Sequence, residues 1–449
     1  MRFLMLMPGT GHFYCGSCLR DDWLGRALRD LGHDTVVAPL YLPMMLEKPA
    51  LKKPALKEPA LKEPAINEAV HMGGVNVYLQ QKARLARHLP GWVSRLLDRP
   101  GFLRWVSRRG DMTSAHDLGA IALSILEGVD GRQAKEVEKL GEWARTIEAP
   151  DVIVISNVML SGVGRHVGAE LKRPVICTLQ GEAPFLDALP QPYREQAWEV
   201  LRKNVKDIDL LVPVSRYYGD LMQEKLGVVP ERLAVVHNGI DLEDMRDEPV
   251  PIARRTPPTI GFLAQMCRDK GLHTLVDAFL ILKERDRIKD LRLRVAGTQL
   301  KPDLPLVKEL QQRVDTGGCG ADIEFLPNIE RAEKLAFLQT LSVLSVPATY
   351  GESFGLYLLE AMASGVPVVQ PEHGAFPEIL EATGGGLLCE PDDPSSLAEK
   401  LEELLVDGDR SQALADCGRT SVLENFTATS MAHRFEEVCR MALETSSPE

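Results

Sequence analysis

Apolar positions along the chain fall into short continuous runs separated by longer stretches with helical spacing. The first run, RFLMLMP, ends in a Gly-rich turn; LRDDWLGRALRDLGHDTVVAPL then carries helix-spaced apolar residues, Gly32 and a second apolar run. Strand, helix, strand is the reading, a βαβ unit. DVIVISN, RPVICTLQ, DLLVPVS and LAVVHNGI continue the series as further short strands. Strands that are apolar on both faces belong in a parallel sheet covered by helices on both sides. The polar, Pro-rich stretch Asp247 to Pro258 interrupts the alternation and reads as an extended linker. TIGFLAQ, LRLRVAG, IEFLP, LSVLSVP and VPVVQP restart it. The expected organisation is therefore an α/β domain over 1–246, a linker over 247–258, a second doubly wound Rossmann-like domain over 259–425, and a helix over 426–449 packing back on the first domain. Ligands of two such domains are expected in a central cleft, at the carboxyl ends of the strands.

Length and composition sharpen this picture in a few places. At 449 residues the chain exceeds one ordinary core. A net charge of -12 argues against general nucleic-acid binding. Eight cysteines are scattered without the density of a disulfide framework, which points to a reducing, cytoplasmic setting. Phe3 to Met7 is too short for a signal-peptide core, and no apolar run reaches membrane-spanning length. Cys15 and Cys18 form the one close pair; with no second pair or histidines at ligand spacing they read as packing in a turn, and no metal is expected. Lys48 to Ala65 repeats a Pro-Ala-Leu-Lys-Glu unit, a solvated low-complexity insertion over 48–68. Lys82 to Arg109 interleaves arginines with Trp92, Phe102 and Trp105. It suits either an anionic membrane surface or helices packed on the first domain with solvated arginines.

One segment carries chemistry. In YGESFGLYLLEAMASGVPVV, Tyr350 to Val369, two carboxylates interrupt an otherwise apolar stretch. A helix is expected to start around Phe354 to Leu356 and to end at Gly365. Glu352 then lies just before it and Glu360 inside it. The helix N-terminus offers unpaired N–H groups to an anion. Because Leu358, Leu359, Ala361, Met362 and Ala363 surround Glu360, that carboxylate needs a dedicated partner.

GESFGLYLLEAMASGVPVV resembles the E-x7-E signature of family 4 retaining glycosyltransferases, which have the two-domain GT-B fold. DLLVPVS, VVHNGID, DKGLHTLVDAF and HGAFPEIL fit the same family in its order and with ordinary spacings, over most of the chain. The resemblance implies that Glu360 holds the ribose hydroxyls of a nucleotide-sugar donor and that Glu352 lies against the donor sugar. It implies further that the backbone of Ser353, Phe354, Gly355 and Leu356 binds the diphosphate and that Lys270 neutralises it as it leaves. Fixed amides and a cation suit growing charge on a departing diphosphate, so no metal cofactor is required. Asp207 to Asp209 resembles the Asp-x-Asp metal motif of the other large glycosyltransferase fold, but it opens an apolar strand and reads as a strand edge.

Two departures stand out. The family usually has Gly-Arg where this chain has Ala264-Gln265, so Arg268 is expected to supply the missing phosphate-binding charge. A histidine of the family is replaced by Gln180-Gly181-Glu182, and Glu182 is either a hydrogen-bond acceptor or base for the acceptor hydroxyl or a polar loop residue. Gly16 is the expected equivalent of a family glycine that lets backbone approach phosphate. The activity implied is transfer of a hexose from a nucleoside diphosphate sugar to a hydroxyl acceptor, with a catalytically impaired scaffold or a sugar-nucleotide epimerase as the alternatives.

Overall fold

The computed structural model describes residues 1–9, 16–41, 115–243, 245 and 248–446. The insertion 48–68, Cys15 and the basic segment 82–109 lie outside the described residues. Among the described residues the chain forms two units: one takes the chain up to His237 and again from Met431, the other is Asn238–Ser430.

The first unit is built on β1 (Arg2–Met7), β2 (Asp34–Pro39), β3 (Val152–Ile155), β4 (Val175–Leu179) and β5 (Leu210–Pro213). These pair in parallel in the order β2-β1-β3-β4-β5. Every residue of β3, β4 and β5 is buried, which is why they read as unbroken apolar runs. Helices between the strands supply the covering layers, among them Gly16–Asp30, Ser161–Leu171, Tyr193–Asn204 and Arg216–Leu226. The last shows how local sequence sets the ends: Ser215 Oγ accepts from the Tyr218 amide at 3.1 Å, and Gly227 closes the helix in the left-handed region. LAVVHNGI, expected as a full strand, runs beside β5 through two amides, Ala234 to Leu211 O and Val236 to Pro213 O, without forming one.

The second unit holds β6 (Thr259–Leu263), β7 (Arg292–Gly297), β8 (Ile323–Pro327), β9 (Val343–Leu344), β10 (Val368–Pro371) and β11 (Gly386–Cys389). They are parallel in the order β11-β10-β9-β6-β7-β8. Asn-Gly-Ile-Asp belongs with this unit and not with the first: the Ile240 amide donates to Phe426 O at 2.9 Å and the Ala428 amide to Ile240 O at 2.9 Å. The boundary accordingly falls earlier than 246. Within the linker, Arg255 is buried and donates to three carbonyls, Val250, Leu341 and Ser364, at 2.8, 2.8 and 3.0 Å. Burial lowers its pKa to about 10. Ser364 caps the C-terminus of the helix Leu356–Ala363, where a cation is favoured by the helix dipole. The helix Ala428–Ser446 brings the chain back to the first unit, where Phe435 packs at a ring-centroid distance of 6.4 Å from Phe3 of β1.

Candidate active site

Two loops of the second unit converge on Glu352. One leaves β6 and carries Gln265, Arg268 and Lys270; the other leaves β9 and carries Tyr350, Glu352 and the helix Leu356–Ala363. Gly271 makes the approach possible. It has φ +73, and a Cβ there would stand 1.6 Å from the Pro347 carbonyl oxygen, so only glycine lets the Asp-Lys-Gly turn lie against the chain leaving β9. The Thr349 amide donates to Asp269 O at 2.9 Å and ties the loops together. A third turn, at His373-Gly374, closes on Glu352 from the other side. Gly374, with φ +63, sits where a Cβ would come 2.6 Å from the Glu352 amide nitrogen, and the Ala375 amide donates to Glu352 O at 2.9 Å.

In this frame Lys270 Nζ forms an ion pair with Glu352 Oε2 and donates to Tyr350 Oη at 2.5 Å. The Tyr350 and Tyr357 hydroxyls each donate to the same carboxylate oxygen at 3.3 Å. Burial pushes the Lys270 ammonium down, but the Glu352 and Tyr350 oxygens outweigh it and leave its pKa above the ordinary lysine value. Burial, reinforced by the Glu352 charge, raises Tyr350 to about 12 and holds Tyr357 well above an ordinary tyrosine. The cluster thus holds a fixed cation and two protonated phenols around one carboxylate.

The helix Leu356–Ala363 starts after Gly355, which has φ +88, and Ser353, Phe354 and Gly355 are buried at its mouth. Its first amides lack acceptors within the helix, as at any helix start. Glu360 does have the partner its apolar surroundings demand. Lys334 Nζ, from the helix Arg331–Gln339, donates to Oε1 at 2.7 Å, and the two side chains are only 7% and 4% exposed. Sequence reasoning did not name Lys334, Tyr350 or Tyr357. For Lys334 a signal was available: it stands three and four residues before Phe337 and Leu338, on the buried face of its helix.

Gln265 and Arg268 do not join this cluster. The Gln265 amide donates to both oxygens of Asp303, at 3.0 and 3.2 Å, while Asp303 also accepts from the Leu300 amide at 2.8 Å. Arg268 donates to both oxygens of Glu309, at 2.8 and 3.2 Å, in a pair about half exposed on each side. The expected replacement of a phosphate-binding arginine by Arg268 therefore meets a side chain already committed to a surface carboxylate.

At the carboxyl ends of the first unit's strands, Glu182 is buried and accepts five hydrogen bonds: from the Val158, Gln180 and Gly181 amides, Gln180 serving both oxygens, and from the Tyr218 hydroxyl at 2.9 Å. Burial raises its pKa; the amides and the hydroxyl oppose the rise. These contacts hold three loops together and occupy the oxygens that an acceptor hydroxyl would need. Gln180 Nε2 reaches Asp21 Oδ1 at 3.0 Å and Ser156 O at 2.7 Å, and Arg20 pairs with the same Asp21 oxygen at 3.0 Å. Gly16 opens the helix that carries Arg20 and Asp21. Asp209 accepts from the Val175 amide at 2.7 Å beside β4, whereas Asp207, in the turn before β5, pairs with Arg165 of the helix Ser161–Leu171. Among the described residues no three His, Cys, Asp or Glu side chains cluster as metal ligands, and no helix is long and apolar enough to cross a membrane. A cavity of about 680 Å³ lies at the opposite end of the second sheet, lined by Thr259, Arg292 and Ile323 at the amino ends of β6, β7 and β8.

Comparisons with known proteins bear on the chain's family and fold. Residues 72–244 match the model of Glycosyltransferase Family 4, and residues 245–421 that of Glycosyl transferases group 1. The D-inositol 3-phosphate glycosyltransferase of Corynebacterium urealyticum is 31% identical over 41% of this chain and 46% of its own length. The putative colanic acid biosynthesis glycosyltransferase WcaL of Escherichia coli is 30% identical over 43% and 47%. Both matches span less than half of the relative. A D-inositol 3-phosphate glycosyltransferase of Corynebacterium aurimucosum is 28% identical over 68% of this chain and 76% of its own. Among solved structures, Anabaena HepE in complex with UDP superposes with a TM-score of 0.67 at 18% identity, over 98% of this chain and 100% of that one. Sucrose-phosphate synthase of Thermosynechococcus elongatus gives 0.67 at 16%, over 99% and 100%. At such identities the structural likeness shows the fold, GT-B, and nothing finer. With its two sheets, its ordered motifs and both halves matched in succession, the chain belongs to the family 4 glycosyltransferases.

Proposed function

We propose that this chain is a retaining glycosyltransferase that moves a hexose from a nucleoside diphosphate sugar, UDP-sugar in first place, to a hydroxyl acceptor in the building of a glycan, glycolipid or polysaccharide. The observation that carries the reading is the Lys270–Glu352 cluster beside the helix Leu356–Ala363: a cation and helix-start amides for a diphosphate, with carboxylates for sugar hydroxyls. The relatives' names as glycosyltransferases and the UDP and UDP-glucose held by HepE support it. On arrival of donor, Lys270 shifts from Glu352 towards the diphosphate oxygens and stabilises the charge that grows there as the sugar–phosphate bond breaks. Glu352, released in part, accepts from a donor-sugar hydroxyl while Tyr350 and Tyr357 keep it oriented. With the leaving phosphate on the same face as the incoming hydroxyl, that phosphate takes the acceptor's proton, and Glu352 makes no covalent bond to sugar. Glu182 positions the loops around the acceptor through its hydrogen bonds, and Lys270 with the amides does the work a divalent ion does elsewhere.

A screen of UDP- and GDP-sugars for binding, hydrolysis and transfer, run with and without EDTA, tests this. Turnover of at least one donor, unchanged by EDTA, is expected. A divalent ion restoring activity lost to EDTA overturns the charge assignment. A chain that binds and cleaves no donor is the impaired scaffold instead, the reading that the engagement of Gln265 by Asp303 favours.

A further inference from the structure

The pairing of Lys334 with Glu360 has a geometry that its contribution to the core does not explain. Both side chains are almost wholly buried, and the flanking Leu358, Leu359, Ala361, Met362 and Ala363 are fully buried too. An apolar pair of the same volume would fill such a place at least as stably, because two charges must be stripped of water to enter it. The presence of the pair therefore points to a need for one of its members. Lys334 lies on the face of its helix that also buries Phe337 and Leu338, with its stem among apolar groups. Its ammonium contacts one oxygen of Glu360, Oε1, at 2.7 Å. Oε2 accepts no hydrogen bond among the described residues. A pair serving stability alone gains most when both carboxylate oxygens are engaged.

We infer that Lys334 is a positioning residue of the donor site: by holding Oε1 it keeps Glu360 ionised and fixed in a buried, apolar setting, with Oε2 left to accept from the vicinal hydroxyls of a ribose. The inference rests on the donor-binding reading above and adds the residue that makes Glu360 fit for it. Lysine suits the task where arginine does not. An ammonium is a point charge satisfied by one oxygen, whereas the guanidinium fork spans both oxygens and occupies the one the ribose needs.

The experiment compares two ligands on the full chain by titration calorimetry. One is whichever of UDP, GDP and ADP the wild type binds best; the other is its 2′,3′-dideoxy counterpart. The wild type is expected to prefer the ribonucleotide by about tenfold to hundredfold, the span of hydrogen bonds to a charged acceptor. Lys334→Arg, which keeps the charge, is expected to bring the ribonucleotide down to the dideoxy affinity while leaving the dideoxy affinity unchanged. Lys334→Met is expected to do the same wherever circular dichroism shows it folded; if it does not fold, Lys334→Arg decides. A folded Lys334→Arg that keeps the ribose preference overturns the inference while leaving Glu360 as a ribose ligand. Equal weakening of both ligands also overturns it, since that is the mark of a merely structural role. A wild type with no ribose preference, or with no affinity for any of the three nucleotides, removes the Glu360 assignment and the inference with it.

Discussion

Lys270 and Glu182 show how differently two buried charges are used. The raised Lys270 pKa means that its ion pair is complete below the ordinary lysine range and is lost only as pH rises through the higher native value. The cation is thus intact throughout neutral pH. Lys270→Met is expected to lower turnover about 100-fold or more, the scale of one lost charge-stabilising group, beyond what the stability lost with the Glu352 ion pair explains; paired kinetics and calorimetry check this. Glu182 runs the other way from a usual carboxylate. Its native pKa lies above the unfolded value, so the folded state binds the proton more tightly, and the stability it contributes is present in acid and falls as pH rises through the native pKa. Glu182→Gln removes that slope and turns an NH₂ towards amide or hydroxyl donors. It is expected to cost on the order of 1–3 kcal/mol near neutral pH, read from denaturation at several pH values. Glu352, Glu360 and Lys270 were legible in the sequence because a motif fixes their spacing. Tyr357 was not, because it takes part through a contact that spacing does not encode, while for Lys334 the helical spacing marked a buried lysine but not its partner. Arg268, two residues from Lys270 in the chain, pairs with Glu309 and does not join the cluster, a partner that its place in the sequence does not announce.

At the scale of elements the apolar runs were a good guide wherever a strand is buried on both faces, as β3, β4 and β6 are. They failed where pairing stops short. LSVLSVP yields only the two-residue β9, since the chain beyond it leaves the sheet to build the loop of Glu352. The turn at Gly271 is the element on which that loop depends. Gly271→Ala places a Cβ against the Pro347 carbonyl at a positive φ, and either the turn or the exit from β9 must move. A loss of about 2 kcal/mol or more in urea unfolding is expected, with a fall in turnover beyond what the lost stability explains, because Lys270 and Glu352 ride on the two strands of chain that separate. A Gly271→Ala variant with wild-type kinetics would show that the two loops need no such contact.

At the scale of the whole molecule, the two-domain plan was readable from two series of strands with a Pro-rich interval between them. The boundary was not, because Ile240 answers to Phe426 and Ala428, partners far along the chain that local composition cannot announce. The helix Ala428–Ser446 is similarly a long-range matter. Phe435 is fully buried against Phe3, and Phe435→Ala is expected to cost about 3 kcal/mol and to lower the melting of the first unit ahead of the second, as two-transition calorimetry would resolve. This return of the chain has a consequence for biosynthesis. Among the described residues the second unit runs continuously from Asn238 to Ser430, whereas the first unit begins earlier and must wait for Met431 onwards before its Phe3 surface is covered. At ordinary translation rates that wait is on the order of 10–40 s. Throughout it, the nascent chain carries all five strands of the first sheet with the Phe3 surface still uncovered, so the first-made half is the last to be completed.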